Sequence, residues 1–193
     1  MPDAQALRAQ MRALRRALSG EEQRAAADAV CARLRETQAL RQARTVMAYM
    51  AARGELSLLS LLGELLLQGR ALCLPRCGAH GEMTARLVTD LAQLSPGAYG
   101  IPEPGEDCPV AAPEDVGLML VPGTAFDMRG GRVGQGGGYY DRFLARTQAY
   151  RIGVCHDFAL LEAVPMRAHD QRMDAVVCPS GLTVVREYGR LKR

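Results

Sequence analysis

The residues best suited to chemistry crowd into one stretch of the chain. It runs from Val121 and Pro122 through Gly123-Thr124-Ala125-Phe126-Asp127 to the segment MRGGRVGQGGGYYDR, Met128 to Arg142. Six glycines fall between Gly130 and Gly138. Glycine lets main-chain N–H groups approach an anion with no Cβ in the way. Arg132 and Arg142 bracket the run with fixed positive charge, which suits phosphate or carboxylate. Asp141 falls in the expected first turn of a helix. There an acid either complements the helix end or holds a Mg2+ against phosphate oxygens. The run lacks the G-K-[ST] of a Walker A loop, and it does not form a fitting G-x-G-x-x-G dinucleotide turn. Glycine content alone leaves a phosphate cradle and a solvated surface loop equally open.

The surrounding elements would position that loop. Leu7, Met11, Leu14 and Leu18 fall on one apolar stripe of a first helix, and Arg8, Arg12 and Arg15 form a separate basic stripe. Ser19 and Glu22 make a capping box that opens a second helix, expected to run to about Ala39. Strands are expected over 44–50, 71–75, 83–88, 116–121, 151–155 and 175–178, with a short edge strand over 182–186. A leucine-rich helix closed by Gly69 and a helix over about 139–148 fall between them, and the Pro- and Gly-rich stretch 95–113 reads as loop. The strand 116–121 is apolar on both faces, as a central parallel strand would be. Strand and helix alternate from 44 to 178. The expectation is therefore one α/β domain over 1–193, with three α/β/α layers and a mainly parallel, Rossmann-like sheet.

Composition narrows the function classes. The chain has 193 residues, 48% hydrophobic and 23% charged, so it holds enough apolar surface for a sizeable core. No run of eighteen apolar residues occurs, and no membrane partner is expected. The net charge is +3, with only 3 Phe and no Trp, which argues against a nucleic-acid binder. Lys192 is the only lysine, and the other basic residues are arginines. Of six cysteines only Cys73 and Cys77 lie close, and His80, His156 and His169 show no ligand spacing. A reduced cytoplasmic monomer is the expected state, with a mitochondrial location as the second option.

The glycine-rich stretch matches G-x-A-F-D-x-x-G-x-R-[LV]-G-x-G-x-G-Y-Y-D-R, and in this it resembles the 5-formyltetrahydrofolate cyclo-ligase family. The resemblance continues in register over about residues 5 to 187. Leu7-Arg8 with R-R-A-L-S-x-E-E resembles the family's helix pair, and Tyr49 to Glu55 its strand and G-E loop. Leu74-Pro75-Arg76, Tyr99-Gly100-Ile101-Pro102-Glu103-Pro104 and His169-Asp170 with Asp174 resemble three further segments. The resemblance implies ATP and Mg2+ as cofactors. It also implies ring closure of 5-formyltetrahydrofolate to 5,10-methenyltetrahydrofolate, with ADP and phosphate released. Phosphorylation of the formyl oxygen would make it a leaving group that N10 can displace, so the protein would mainly position and stabilise charge.

It also implies roles for particular residues. Arg8, Arg132, Val133, Gly134, Gln135, Gly136, Gly137, Gly138, Tyr139 and Tyr140 would contact ATP, with Arg132 and Tyr139 serving catalysis. Met50, Glu55, Tyr99, Gln135, Gly136, Gly137, Gly138 and Tyr139 would contact the folate, Glu55 through the pterin N–H groups and Tyr99 by stacking. Asp141 and Asp170 would be the Mg2+ ligands, and Asp141 is expected to be a surface acid without core contacts. Arg76 is a weaker candidate for the anionic end of a ligand. One departure stands out. Ala4 occupies a position where the family often has a lysine, so a point charge for the phosphates is missing, and Arg12 and Arg15 are the candidates to compensate. The alternative to an active enzyme is a folate- or nucleotide-binding relative with impaired catalysis.

Overall fold

The computed structural model describes residues 3–189. Two helices open the chain, α1 (Ala4–Ala17) and α2 (Gly20–Glu36), joined by the Ser19–Glu22 capping box read from the sequence. α2 ends at Glu36 rather than near Ala39, because Thr37 starts a separate short helix, α3 (Gln38–Gln42). The Thr37 side chain accepts from the Leu40 amide and so caps the new helix.

Eight strands form the main sheet, in the order Gly181–Val184, Ala175–Cys178, Tyr150–Val154, Leu118–Pro122, Thr45–Met47, Ala71–Cys77, Met83–Val88 and Val110–Ala111. The five central strands pair in parallel. The outer pairings are antiparallel. Alternate residues of the central strands enter different cores. Val46, Leu72, Leu118, Leu120 and Ile152 pack with α2, α3 and α4 (Leu59–Leu67). Met47, Cys73, Met119, Val121 and Val176 pack with α1 and α5 (Tyr139–Leu144). This period-two division on a sheet buried on both faces gives the three expected layers.

Strand order sets the place of the site. From Thr45–Met47 the chain goes through α4 to Ala71–Cys77 on one side, and later returns to Leu118–Pro122 on the other side of Thr45–Met47. The order reverses there, and the crevice beyond the carboxyl ends of such strands is where ligands bind in open α/β sheets.

Two stretches read as loop contain strands. Residues 94–96 and 102–104 pair as an antiparallel ribbon inside the Pro- and Gly-rich stretch. Within the glycine-rich segment, Ala125–Asp127 and Arg132–Val133 form a hairpin, with Leu160–Leu161 added beside the first strand. The Asp127 carboxylate accepts from the amides of Arg129 and Gly131 at 2.9 and 2.8 Å, so the turn is held by its own acid. No helix among the described residues is long and apolar enough to cross a membrane.

Candidate active site

A cavity of about 500 Å³ opens at the reversal point. Every ATP, folate and metal candidate named from the sequence lines it. The structure therefore brings together Arg8 from α1, Met50 and Glu55 after Thr45–Met47, Tyr99 from the ribbon turn, and the whole of 132–141.

The glycine-rich segment is held in place by side chains that grip its carbonyls. Arg8 Nε donates to Gly134 O at 2.8 Å. Arg142 donates to Gly137 O at 2.6 Å and to Gly81 O at 2.9 Å. With these carbonyls engaged, the segment keeps a fixed path. Gly138 caps α5 with φ +68°, a left-handed conformation that calls for glycine. α5 has only six residues and stops at Leu144, well short of the expected 148.

Arg132 and Asp141 stand at the centre of this wall. Their side chains pair at 2.8 Å, with Arg132 only 3% exposed and Asp141 21%. Asp141 also accepts from the Gln171 amide at 3.3 Å. The expected surface acid is thus tied to a buried cation, because the Arg132 guanidinium, buried against Pro122 O, needs a counter-charge there. Arg132 also lies 5.7 Å from the centre of the Tyr140 ring. Burial, and then the charge of Glu55, push the Tyr140 hydroxyl far above its usual range.

Asp141 and Asp170 line the same cavity, and Asp170 accepts from the Arg167 amide at 2.7 Å. Among the described residues no cluster of three or more acid, His or Cys groups could form an all-protein metal cage. That donor set fits Mg2+, which takes one or two carboxylates and completes its shell with water and substrate phosphates.

The facing wall carries Glu55. Its carboxylate accepts from the Ala52 amide at 3.2 Å and from Gln135 Nε2 at 3.3 Å. Burial raises its pKa, against the pull of the Ala52 amide and of Arg15. Tyr99 stands 67% exposed at the rim with φ +59°, and its ring meets Tyr139 edge-on at 6.4 Å. The two hydroxyls are 3.3 Å apart, and this contact raises the Tyr139 pKa.

Several expectations fail. Arg15 belongs to no solvated basic stripe. It is 2% exposed and donates to the carbonyls of Gly123 at 2.5 Å and Thr124 at 3.4 Å. Its guanidinium stands 4.0 Å from Glu55. It replaces Leu14 in the buried stripe of α1, which runs Leu7, Met11, Arg15, while Leu14 is 38% exposed. Neither Arg12 nor Arg15 lines the cavity, so neither compensates at Ala4, which does line it. Arg76 is turned away, bonded to Pro104 O at 2.8 Å and paired with Glu106 at 3.0 Å. Asp174 is engaged by Arg186 and by the Arg151 amide. His156 is buried, with Nε2 3.0 Å from Gly54 O, and all six cysteines are free.

Sequence reasoning assigns no role to Glu103, which lines the cavity from the ribbon, and it misses the role of Arg15 as the cation that backs Glu55. Arg15 left one signal, since an i, i+4, i+8 spacing from Leu7 and Met11 puts it on the apolar face.

Comparison with known proteins agrees with this arrangement. The family model described as "5-formyltetrahydrofolate cyclo-ligase family" matches residues 1–179. The 5-formyltetrahydrofolate cyclo-ligase of Escherichia coli is 31% identical, over 88% of this chain and 97% of its own. That of Saccharomyces cerevisiae is 27% identical, over 94% and 97%. Among solved structures, the 5,10-methenyltetrahydrofolate synthetase of Aquifex aeolicus superimposes with a TM-score of 0.86 at 33% identity, covering 98% of this chain and 96% of that one. The Mycoplasma pneumoniae synthetase, at 20% identity and a TM-score of 0.76, shares the fold. A match that spans the sheet, both helical layers and the glycine-rich wall makes this chain a member of the 5-formyltetrahydrofolate cyclo-ligase family.

Proposed function

We propose that this cavity closes the ring of 5-formyltetrahydrofolate to give 5,10-methenyltetrahydrofolate, using ATP and releasing ADP and phosphate. The observation that carries the reading is the pairing of two unlike walls in one space of about 500 Å³. One is a glycine-rich segment with exposed backbone, and the other is a buried carboxylate beside aromatic rings. The first suits polyphosphate and the second suits a flat heterocycle with N–H donors.

Arg8 and Arg132 contact the phosphates, and the backbone from Val133 to Tyr140 wraps them. Glu55 accepts from the pterin N–H groups, while Met50, Tyr99 and Tyr139 cover its rings. The γ-phosphoryl group passes to the formyl oxygen. N10 then attacks the formyl carbon and loses its proton, and phosphate departs with the oxygen. Arg132 offsets charge that builds on the transferring group, in a half-enclosed site where a fixed cation acts strongly. Asp141 and Asp170 would hold Mg2+, which supplies charge neutralisation on the phosphates when bound. Free cysteines fit a reducing compartment, and we place the enzyme in the cytoplasm as a single-domain monomer.

A second reading, binding without turnover, draws on Ala4, which lines the cavity and brings no charge to the phosphates. One assay separates the two. The protein is mixed with 5-formyltetrahydrofolate and MgATP, and the absorbance of the methenyl product is followed. Product formation with one ADP per turnover is expected. Folate binding without product would replace the first reading by the second, and no folate binding would end both.

A further inference from the structure

Three carboxylates of the described chain are almost wholly buried: Asp127, Asp174 and Glu103, at 2, 7 and 4% exposure. Burying a carboxylate costs heavily unless strong donors or a cation replace its water. Asp127 meets that need with three backbone amides, from Arg129, Gly131 and Val164, at 2.9, 2.8 and 3.1 Å. Asp174 meets it with Arg186 Nε at 2.7 Å and the Arg151 amide at 2.9 Å. Glu103 does not. Among the described residues the backbone donor that it has is the Cys77 amide, at a long 3.3 Å, and the Cys77 thiol beside it is a weak donor. Among the described residues it forms no ion pair.

What Glu103 has instead is the cavity, which it lines. The ribbon is built to let it do so. Ser95 pairs with Glu103 across the ribbon, and Gly97 follows two residues on. A Cβ at Gly97 would come within 2.5 Å of Glu103 Cγ and Cδ, so the carboxylate lies across a space that only glycine leaves open. Cys77 ends the strand Ala71–Cys77, which is the neighbour of Thr45–Met47, the strand that leads to Glu55. Glu103 therefore sits one strand over from Glu55 at the same end of the sheet.

We propose that Glu103 is a second substrate-facing carboxylate, accepting a hydrogen bond from an N–H of the bound reduced folate. The assignment rests on the folate reading of the cavity and extends it. An ionised carboxylate accepts only, so it selects a ligand edge rich in N–H groups and disfavours one that presents carbonyl oxygens.

The test is calorimetric titration of wild type and Glu103→Gln with 5-formyltetrahydrofolate, in the absence of nucleotide. The same samples are then titrated with a non-hydrolysable ATP analogue plus Mg2+ and melted. Glu103→Gln should bind the folate about tenfold more weakly. Its affinity for the ATP analogue and its Tm should hold or, for Tm, rise, since a poorly compensated buried charge has been removed. Gly97→Ala, which crowds the same carboxylate, should weaken folate in the wild-type background and add nothing in the Glu103→Gln background. Folate affinity within twofold of wild type in Glu103→Gln would overturn the assignment, as would a fall in Tm with equal weakening of both ligands. If wild type itself fails to bind the folate, the reading of the cavity falls and takes this one with it. If wild type binds and Glu103→Gln binds equally, only Glu103 loses its role.

Discussion

Along one wall of the cavity, from Arg132 to Asp141, the polar groups come from a continuous stretch of chain. Most are backbone atoms, held by Arg8 and Arg142 through carbonyls. Along the other wall the polar groups are side chains from separate elements. Glu55 follows a central strand and is backed from outside the cavity by Arg15 of α1, and Glu103 comes from the ribbon. The first wall exposes many weak donors in a fixed array, a way to meet a ligand whose charge is spread over several oxygens. The second buries few groups with strong demands, a way to meet a ligand with a defined pattern of N–H groups. A reaction that joins a polyphosphate to a heterocycle uses both.

The contrast predicts that damage to each wall is read by a different ligand. The largest effect belongs to Asp141→Asn. Turnover should fall by about a hundredfold or more as the acid that would hold Mg2+ is lost, while folate affinity in the absence of nucleotide stays near wild type. Asparagine keeps one acceptor for Arg132, but the buried cation loses its counter-charge. A Tm lower by several degrees is therefore expected in a thermal melt. Undiminished turnover would remove Asp141 from the mechanism, and equal loss of folate affinity would erase the distinction between the walls.

Glu55→Gln is the mirror experiment. Folate affinity should fall about tenfold, and affinity for an ATP analogue should change little, by calorimetry. Losses of the same size for both ligands would show that Glu55 serves the whole cavity.

Arg15→Met gives a smaller change with a distinctive pH signature. Glu55 faces Arg15 and Arg53, which favour its ionised form, and lies near Tyr49 and Tyr140. Burial outweighs them and raises its pKa above 4.5. The sign follows from linkage. The folded state holds this proton more tightly than the unfolded one, so Glu55 contributes stability at low pH that is lost as pH rises through the folded value. Folate binding to the ionised carboxylate runs the other way and should grow with pH, with its midpoint above 4.5. Removing the Arg15 cation should move that midpoint further up and weaken folate several-fold at neutral pH. The unpaired groups left at Gly123 and Glu55 should cost roughly 1–3 kcal/mol of stability. A midpoint unmoved in Arg15→Met would make Arg15 a packing residue only.

The contrast also explains how much could be read from the residues. The parallel core was legible because both faces of Leu118–Pro122 are apolar and strand and helix alternate around it. The glycine-rich wall was legible because its chemistry is local: glycines, Arg132 and Asp141 fall within a dozen residues. Two features of that stretch were not. The hairpin 125–133 depends on the Asp127 carboxylate accepting from the Arg129 and Gly131 amides, and the Arg132–Asp141 pair depends on that hairpin. The facing wall was legible only in part. Glu55 was singled out only by the resemblance of Tyr49 to Glu55 to the family's strand and G-E loop, and Arg15 lies 40 residues from it in sequence, where a basic residue on an amphipathic helix reads as solvated until its partner is seen. Glu103 sits in a proline-rich stretch with no helix or strand periodicity, so burial there left no pattern in the residues.

The central claim is that one cavity holds nucleotide phosphates on the 132–141 wall and the reduced folate on the Glu55 wall at the same time. Backbone-amide NMR tests it directly, by titrating labelled protein with 5-formyltetrahydrofolate, then with a non-hydrolysable ATP analogue and Mg2+. The folate should shift the amides near Glu55 and Tyr99, and the nucleotide should then shift Gly134 to Asp141 without displacing the folate. A nucleotide that leaves Gly134 to Asp141 unmoved, or that expels the folate, would contradict the account.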